Sequence, residues 1–294
     1  SNPFGSQTSP LVSDDMGIAV FNNDVREKIE SFALQYMPVV ILGETSTGKD
    51  IAAEFLHARG PYSQNPLYTI DCSEYDKQGD EEKPLKTVLI SLQKATVYFR
   101  NLNDLSADKY RYIMHEILSD PVFIKNNRIL ISLLLHPKDN RHSDMLNQID
   151  AGLNCVTVYI PPIRERKEDI QSLSSLYINK LNIETGANVL GFEPRALSLF
   201  KKYSWLGNLS QFKRVLRELV IQTKRFYITA EQVEACFDKE KQSQNNSITA
   251  LSNPLDLNQS LEKIIFDVVQ RIMLEENNNQ TRTAERLGIG RSTI

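Results

Sequence analysis

The sequence predicts an α/β protein with a doubly wound parallel sheet and a smaller helical domain after it, and three observations carry that reading. Apolar runs at 37–42, 67–70, 96–99, 128–135 and 155–160 alternate with polar or helix-periodic stretches, the rhythm of a sheet covered by helices on both faces. The first run leads directly into Gly43-Glu44-Thr45-Ser46-Thr47-Gly48-Lys49-Asp50, which fits G-x-x-x-x-G-K. Strand, glycine-rich turn and helix form the context in which backbone amides cradle phosphate at a helix N-terminus. Beyond Pro161-Pro162 strand candidates thin out, and Glu168 to Phe237 has helical periodicity.

The elements follow in order. Residues 1–13 are polar and turn-rich and read as a tag or linker without a fold of their own. An amphipathic helix is predicted from Asp24 to Tyr36, then a buried strand from Met37 to Leu42, the loop, and a helix from Lys49 to Ala58. In the loop Lys49 supplies a point charge for β- and γ-phosphates. Asp50 stands where most such loops carry Ser or Thr. The α/β unit is placed at 14–166 and the helical domain at 167–238. Residues 239–257, rich in Gln, Asn and Ser, read as a linker, and 258–294 as a final helical block.

Composition narrows the function classes. With 294 residues, 41% hydrophobic and 24% charged, the chain has ample material for a core, and a net charge of −3 leaves nucleic-acid contact to a local patch. Three widely spaced cysteines fit neither a disulfide framework nor zinc spacing, and four histidines share no ligand spacing, so no metal is predicted. Apolar runs are too short to span a bilayer and no signal-peptide pattern opens the chain, which predicts a cytoplasmic protein without a membrane partner. The mixed-charge stretch Arg164 to Asp169 reads as a solvated helix start.

Five segments in sequence, "GETSTGKDIAAEFLH", "NPLYTIDCS", "IPPIRERKEDI", "GFEPRALSLFKKYSWLGN" and "NNNQTRTAERLGIGRSTI", resemble the bacterial enhancer-binding proteins. These are NtrC-type AAA+ transcription activators with a C-terminal Fis-type helix-turn-helix, and the resemblance covers about residues 14–294. It implies an AAA+ P-loop domain, a helical lid and a DNA-binding tail, with Asp50 no defect because an acidic residue after the loop lysine is usual there. Thr281 to Leu287 would be the first helix of the tail and Gly288-Ile289-Gly290 the turn. A recognition helix would open at Arg291 and enter the major groove, with Thr281, Arg282, Arg291, Ser292 and Thr293 as DNA-binding residues. The helix-turn-helix reads as truncated, since the chain stops inside that helix; the intact protein is expected to continue, and an earlier receiver-like domain of a two-component system is compatible with the resemblance.

Several family positions depart from the pattern. The segment Ala95 to Ser106 resembles the strand that ends in Asp-Glu, and its register puts Arg100 and Asn101 on the two carboxylate positions. A cation there repels a metal; Asp104, four residues on, is the alternative carboxylate. The sensor asparagine becomes Leu134, the two intersubunit arginines fall near Leu146 and Gly152, and the lid arginine becomes Ser210. The G-A-F-T-G-A loop of activators that remodel the nitrogen-type sigma factor is absent between Cys72 and Thr96. The resemblance, with these losses, implies a regulator whose AAA+ domain binds ATP, ADP or cyclic di-GMP without turnover and without Mg²⁺. It would act as a homodimer on DNA with RNA polymerase carrying the housekeeping sigma factor, and Arg100 would pair with Asp50. The lack of the loop is shared with biofilm regulators of the VpsR type, which is the ground for cyclic di-GMP; no residue pattern shows that site independently. A working ATPase that remodels the polymerase, and a structural dimerisation module with an empty loop, are the alternatives.

Overall fold

The computed structural model describes residues 17–77, 82–135, 141–252, 260–276 and 279–290, and the chain divides into two compact units, 1–230 and 231–294. In the first, helix α1 (Asn23–Ala33) starts where the Asn22 side chain accepts from the Val25 N–H at 3.0 Å, and it buries Val25, Ile29 and Ala33. It ends before the predicted Tyr36, leaving Leu34 and Tyr36 exposed. Pro38 accounts for this, because it disfavours helical backbone at Met37 and the chain must straighten into strand β1 (Val39–Gly43).

Helix α2 (Lys49–Ala58), strand β2 (Leu67–Asp71), helices α3 (Cys72–Lys77) and α4 (Glu82–Ser91), and strand β3 (Thr96–Arg100) follow. Helix α5 (Ala107–Tyr112) runs into a π-helical turn, and α6 (Pro121–Asn126) leads to strand β4 (Arg128–Leu134). Helix α7 (Arg141–Leu153) and strand β5 (Val156–Ile160) complete the unit's sheet. The five strands lie in the order β2-β3-β4-β1-β5, all parallel. Every residue of β1 is buried, as a central strand covered on both faces requires. Val40, Leu42, Phe99, Ile131 and Leu133 join the helices in one apolar core. Arg128, fully buried at the start of β4, donates to the carbonyls of Leu56 and, at 2.8 Å, Phe32. It thus ties the C-terminal ends of α1 and α2 to the sheet.

The helical lid consists of α8 (Ile170–Thr185), α9 (Pro194–Lys202) and α10 (Asn208–Gln222). It also contains a short parallel pair, β6 (Gly191–Phe192) and β7 (Tyr227–Ile228), which its helical periodicity did not predict. The lid core is aromatic. Trp205, fully buried, lies 4.7 Å from the Phe200 ring and 5.0 Å from the Phe212 ring, and its indole donates to the Phe200 carbonyl at 3.0 Å. Trp205 and Asn208 have positive φ, 49° and 46°, a bend that starts α10 at Asn208.

In the second unit, α11 (Ala230–Ser252) corrects the predicted linker at 239–257: the chain is helical as far as Ser252. Its Gln, Lys and Glu residues are helix formers, and no Gly or Pro intervenes before Pro254, so polarity alone did not make a loop. Helices α12 (Leu261–Glu275) and α13 (Gln280–Leu287) follow. Asn279 caps α13 by accepting from the Arg282 N–H at 3.2 Å, and Gly288, φ 66°, closes it with Ile289 N–H bonded to the Ala284 carbonyl at 3.1 Å. Arg291, Ser292 and Thr293 lie outside the described residues.

Candidate functional site: a phosphate loop facing Arg100

The loop leaves an interior strand of the sheet, since β1 lies between β4 and β5. Two glycines are required by geometry. A Cβ at Gly43 would stand 2.5 Å from the Thr47 hydroxyl, and one at Gly48, φ 109°, would stand 2.9 Å from the Phe21 ring. Thr47 is fully buried and its hydroxyl donates to the Glu44 carbonyl at 3.0 Å, which curls the loop ahead of α2. Lys49 is buried, and its ammonium donates to the carbonyls of Gly43 at 3.1 Å and Glu44 at 3.0 Å. Burial lowers its pKa to about 8, against the opposing pull of Asp50 and Asp104.

That shift has a measurable result. Phosphate favours the charged lysine, so affinity for a nucleotide should fall as pH rises above about 8, by up to roughly tenfold per unit. Binding near that pH should also take up a proton, read by calorimetry in buffers of different ionisation enthalpy. Flat affinity across that range would show that Lys49 does not meet the phosphates.

Opposite the loop, the pairing of Asp71 with Arg100 and of Phe99 with Ile131 fixes Arg100 at the end of β3. Its Nε lies 3.5 Å from Asp50 Oδ2 and one Nη lies 3.3 Å from Asp71 Oδ2. Burial works against its charge, but the carboxylates of Asp50 and Asp71 outweigh it and hold the pKa above the ordinary value. Asn101, φ 53°, turns its N–H to the Ser132 hydroxyl at 2.8 Å. The buried Tyr98 hydroxyl lies 2.9 Å from Ser132 Oγ and 2.8 Å from Asp50 Oδ1. An ionised Asp50 can only accept, so the protons run one way: Asn101 N–H to Ser132, Ser132 to Tyr98, Tyr98 to Asp50.

Asn103 pairs with the Leu134 backbone in both directions at 2.8 Å, which pins the turn after β3 to the end of β4. Asp104 closes that 3₁₀ turn, buried, and its charge acts on both Lys49 and Arg100. It therefore belongs to the site, although its sequence spacing put it in the following loop. Arg100 and Asn101, which the resemblance aligns with a carboxylate pair, present a guanidinium and an amide, and these do not suit Mg²⁺, which needs anionic oxygens.

The lid reaches the loop directly. Arg164 pairs with Glu44 through both terminal nitrogens, one at 2.7 Å. Asn208 donates to Glu44 at 3.3 Å and to the Thr45 carbonyl at 3.0 Å, and accepts from the Ile163 N–H at 3.0 Å. The Leu209 N–H bonds the Ser46 carbonyl at 3.0 Å, and the hydroxyls of Ser210 and Ser46 are 2.9 Å apart. Arg166, buried, donates to the Val20 carbonyl at 2.7 Å. The stretch from Arg164 is thus solvated only in part: Glu165, Lys167 and Glu168 are exposed, while two of its cations are structural, a distinction that mixed charge in sequence cannot make.

The site draws together Gly43 to Asp50, Arg100 and Asn101, and adds Tyr98, Asp71, Ser132, Arg164 and Asn208, which hydrophobic patterning had hidden within strands and turns. Leu146 and Gly152 lie on α7. In the second unit, Arg282 is only 8% exposed, against its predicted role of gripping DNA, because its place on α13 turns it inward. Arg286 is held by Glu275 at 2.5 Å and Glu276 at 3.0 Å, which offsets local positive charge. Thr281 is partly exposed. Among the described residues no helix is long and apolar enough to cross a membrane, and no group of three or more His, Cys, Asp or Glu is placed to hold a metal.

Comparison with known proteins agrees with this architecture. Residues 18–82 match the Sigma-54 interaction domain and residues 164–250 match the AAA+ ATPase lid domain. The chain is 23% identical over 284 residues to the transcriptional regulatory protein ZraR of Escherichia coli (strain K12), covering 87% of this chain and 62% of ZraR. It is 22% identical to the regulatory protein AtoC of the same strain, covering 92% of this chain and 64% of AtoC. It thus spans less than two thirds of these relatives. The crystal structure of NtrX from Brucella abortus in complex with ATP superimposes with a TM-score of 0.60 at 20% identity, over 98% of this chain and 68% of NtrX. The fold is AAA+, a P-loop domain on a parallel sheet with a lid, and the chain is homologous to NtrC-type transcriptional regulators.

Proposed function

We propose that this chain is the nucleotide-responsive part of a cytoplasmic transcription regulator, one that binds nucleotide phosphate at Gly43 to Asp50 and does not hydrolyse it. The observation that carries the reading is Arg100, ion-paired to Asp50 and Asp71 where an ATPase of this fold places its metal-organising carboxylates. Hydrolysis needs charge neutralisation and a positioned water at that point. Nucleotide binding is supported by the loop geometry and by the ATP complex of NtrX.

The ligand class is a purine nucleotide presenting phosphate oxygens: ATP or ADP, or cyclic di-GMP on the strength of the resemblance to regulators of the VpsR type. Calorimetric titration with all three tests the reading. Saturable binding of at least one, lost in Lys49→Ala, is the expected result, and heats at the level of dilution for all three would leave the loop a structural turn.

The remaining functions follow from the resemblance and from local features. The capped α13 and the turn at Gly288 support a helix-turn-helix that binds DNA. Leu261, Ile265 and Phe266 on α12 are exposed, an apolar face suited to a homodimer. Helices α3 and α4 are separated only by residues 78–81, which leaves no room for a long sigma-remodelling loop. RNA polymerase with the housekeeping sigma factor is therefore the proposed partner, although residues 18–82 resemble a Sigma-54 interaction domain.

One observation favours a second reading, an active ATPase. Asp104 is a buried carboxylate whose charge reaches Lys49, and a carboxylate so placed could orient the attacking water. Phosphate release abolished by Asp104→Asn would establish that reading.

A further inference from the structure

We propose that phosphate binding at this loop requires no divalent cation, because the Arg100 guanidinium supplies the positive charge that Mg²⁺ supplies elsewhere in this fold. The inference rests on the nucleotide-binding reading above and concerns how that site neutralises its ligand. Arg100 takes the position of a metal-organising carboxylate and reaches Asp50, the residue directly after the loop lysine. A divalent ion entering between Asp50 and β3 would have to displace a cation already held by Asp50 and Asp71.

Arg100 is positioned without being locked. Its ion pairs, at 3.5 and 3.3 Å, are longer than tight charge-assisted hydrogen bonds of about 2.7–2.9 Å. Its side chain is 42% exposed, and the second terminal nitrogen has no ion pair or hydrogen bond among the described residues. Asp50 is meanwhile held by the Tyr98 hydroxyl, so it stays in place when the guanidinium swings toward a phosphate. A guanidinium fork matches two phosphate oxygens, and unlike a hydrated metal it arrives already tethered. Lys49 and Arg100 then bracket the phosphate from the loop and from the end of β3.

The test is ATP affinity of the full chain measured in excess EDTA and again in millimolar Mg²⁺. The expected result is the same Kd in both, within about twofold. Arg100→Asp is expected to lose roughly tenfold or more in EDTA and to regain affinity when Mg²⁺ is added, since it restores a carboxylate. Arg100→Gln, which keeps the size and polarity of the side chain, should weaken binding in both buffers; its melting curve, compared with the parent protein's, identifies any loss of folded protein. Parent affinity that falls more than about tenfold in EDTA, or folded Arg100→Gln with unchanged affinity, overturns the inference while leaving nucleotide binding intact. Absence of ATP binding in both buffers overturns the inference, and only absence of ADP and cyclic di-GMP binding as well overturns the reading beneath it.

Discussion

Incubated with ATP and Mg²⁺, the protein is expected to release phosphate no faster than ATP alone. The expectation has a magnitude. Losing one preorganised donor to a transition state costs roughly 100- to 1,000-fold, and losing an arginine finger roughly 1,000- to 100,000-fold. On the proposed reading, which carries the family's positions over by resemblance, the carboxylate pair becomes Arg100 and Asn101, the lid position Ser210, bonded to Ser46 at 2.9 Å, and the intersubunit positions Leu146 and Gly152. Introducing carboxylates alone, as Arg100→Asp with Asn101→Glu, should on the same reading give metal-dependent binding and still no useful turnover, because the resemblance aligns no arginine with the lid and intersubunit positions. Parent turnover clearly above background in a coupled phosphate assay would refute the proposal and turn attention to Asp104.

Arg164→Ala is expected to destabilise the first unit by about 3 kcal/mol, because removing one partner of a largely buried pair leaves a carboxylate desolvated without its guanidinium. The side chains of Arg164 and Glu44 are 29% and 15% exposed, so solvent screens the pair only in part. A second consequence is functional. An uncompensated Glu44 beside the loop would repel phosphate, so the variant should bind nucleotide more weakly than its stability loss alone explains. The double variant Glu44→Gln with Arg164→Ala should recover much of both losses, and Arg164→Lys should not, since an ammonium cannot make the two-pronged contact. Thermal melts and titrations of the parent, these three variants and Glu44→Gln alone check this; strictly additive losses would show that the two residues act separately.

The strand pattern and the loop were legible in sequence because both depend on local signals. A fully buried parallel strand must be a continuous apolar run, and a phosphate loop must have glycines where a Cβ would strike Thr47 or Phe21. The register that puts Arg100 at the end of β3 was also readable, since the strand's length and direction follow from the same run. Less legible was anything set by partners distant in sequence. Mixed charge at 164–169 looks solvated until the lid folds back and gives Arg164 a carboxylate 120 positions away. The Gln- and Asn-rich stretch after 238 looked like a linker because polarity is a weak sign of a loop when no helix breaker is present.

The sequence by itself determined that the chain has a phosphate loop and that Arg100 and Asn101 close the third apolar run, because identity at a fixed spacing needs no third dimension. Only the tertiary structure decided what Arg100 does there. It brings Asp71 from β2, Asp50 from α2 and the turn carrying Asp104 around one guanidinium. It also gives Tyr98, an inward-facing strand residue in sequence, the task of holding Asp50. Electrostatic roles fall off with distance in space and not along the chain, so they exist only once the strands are side by side.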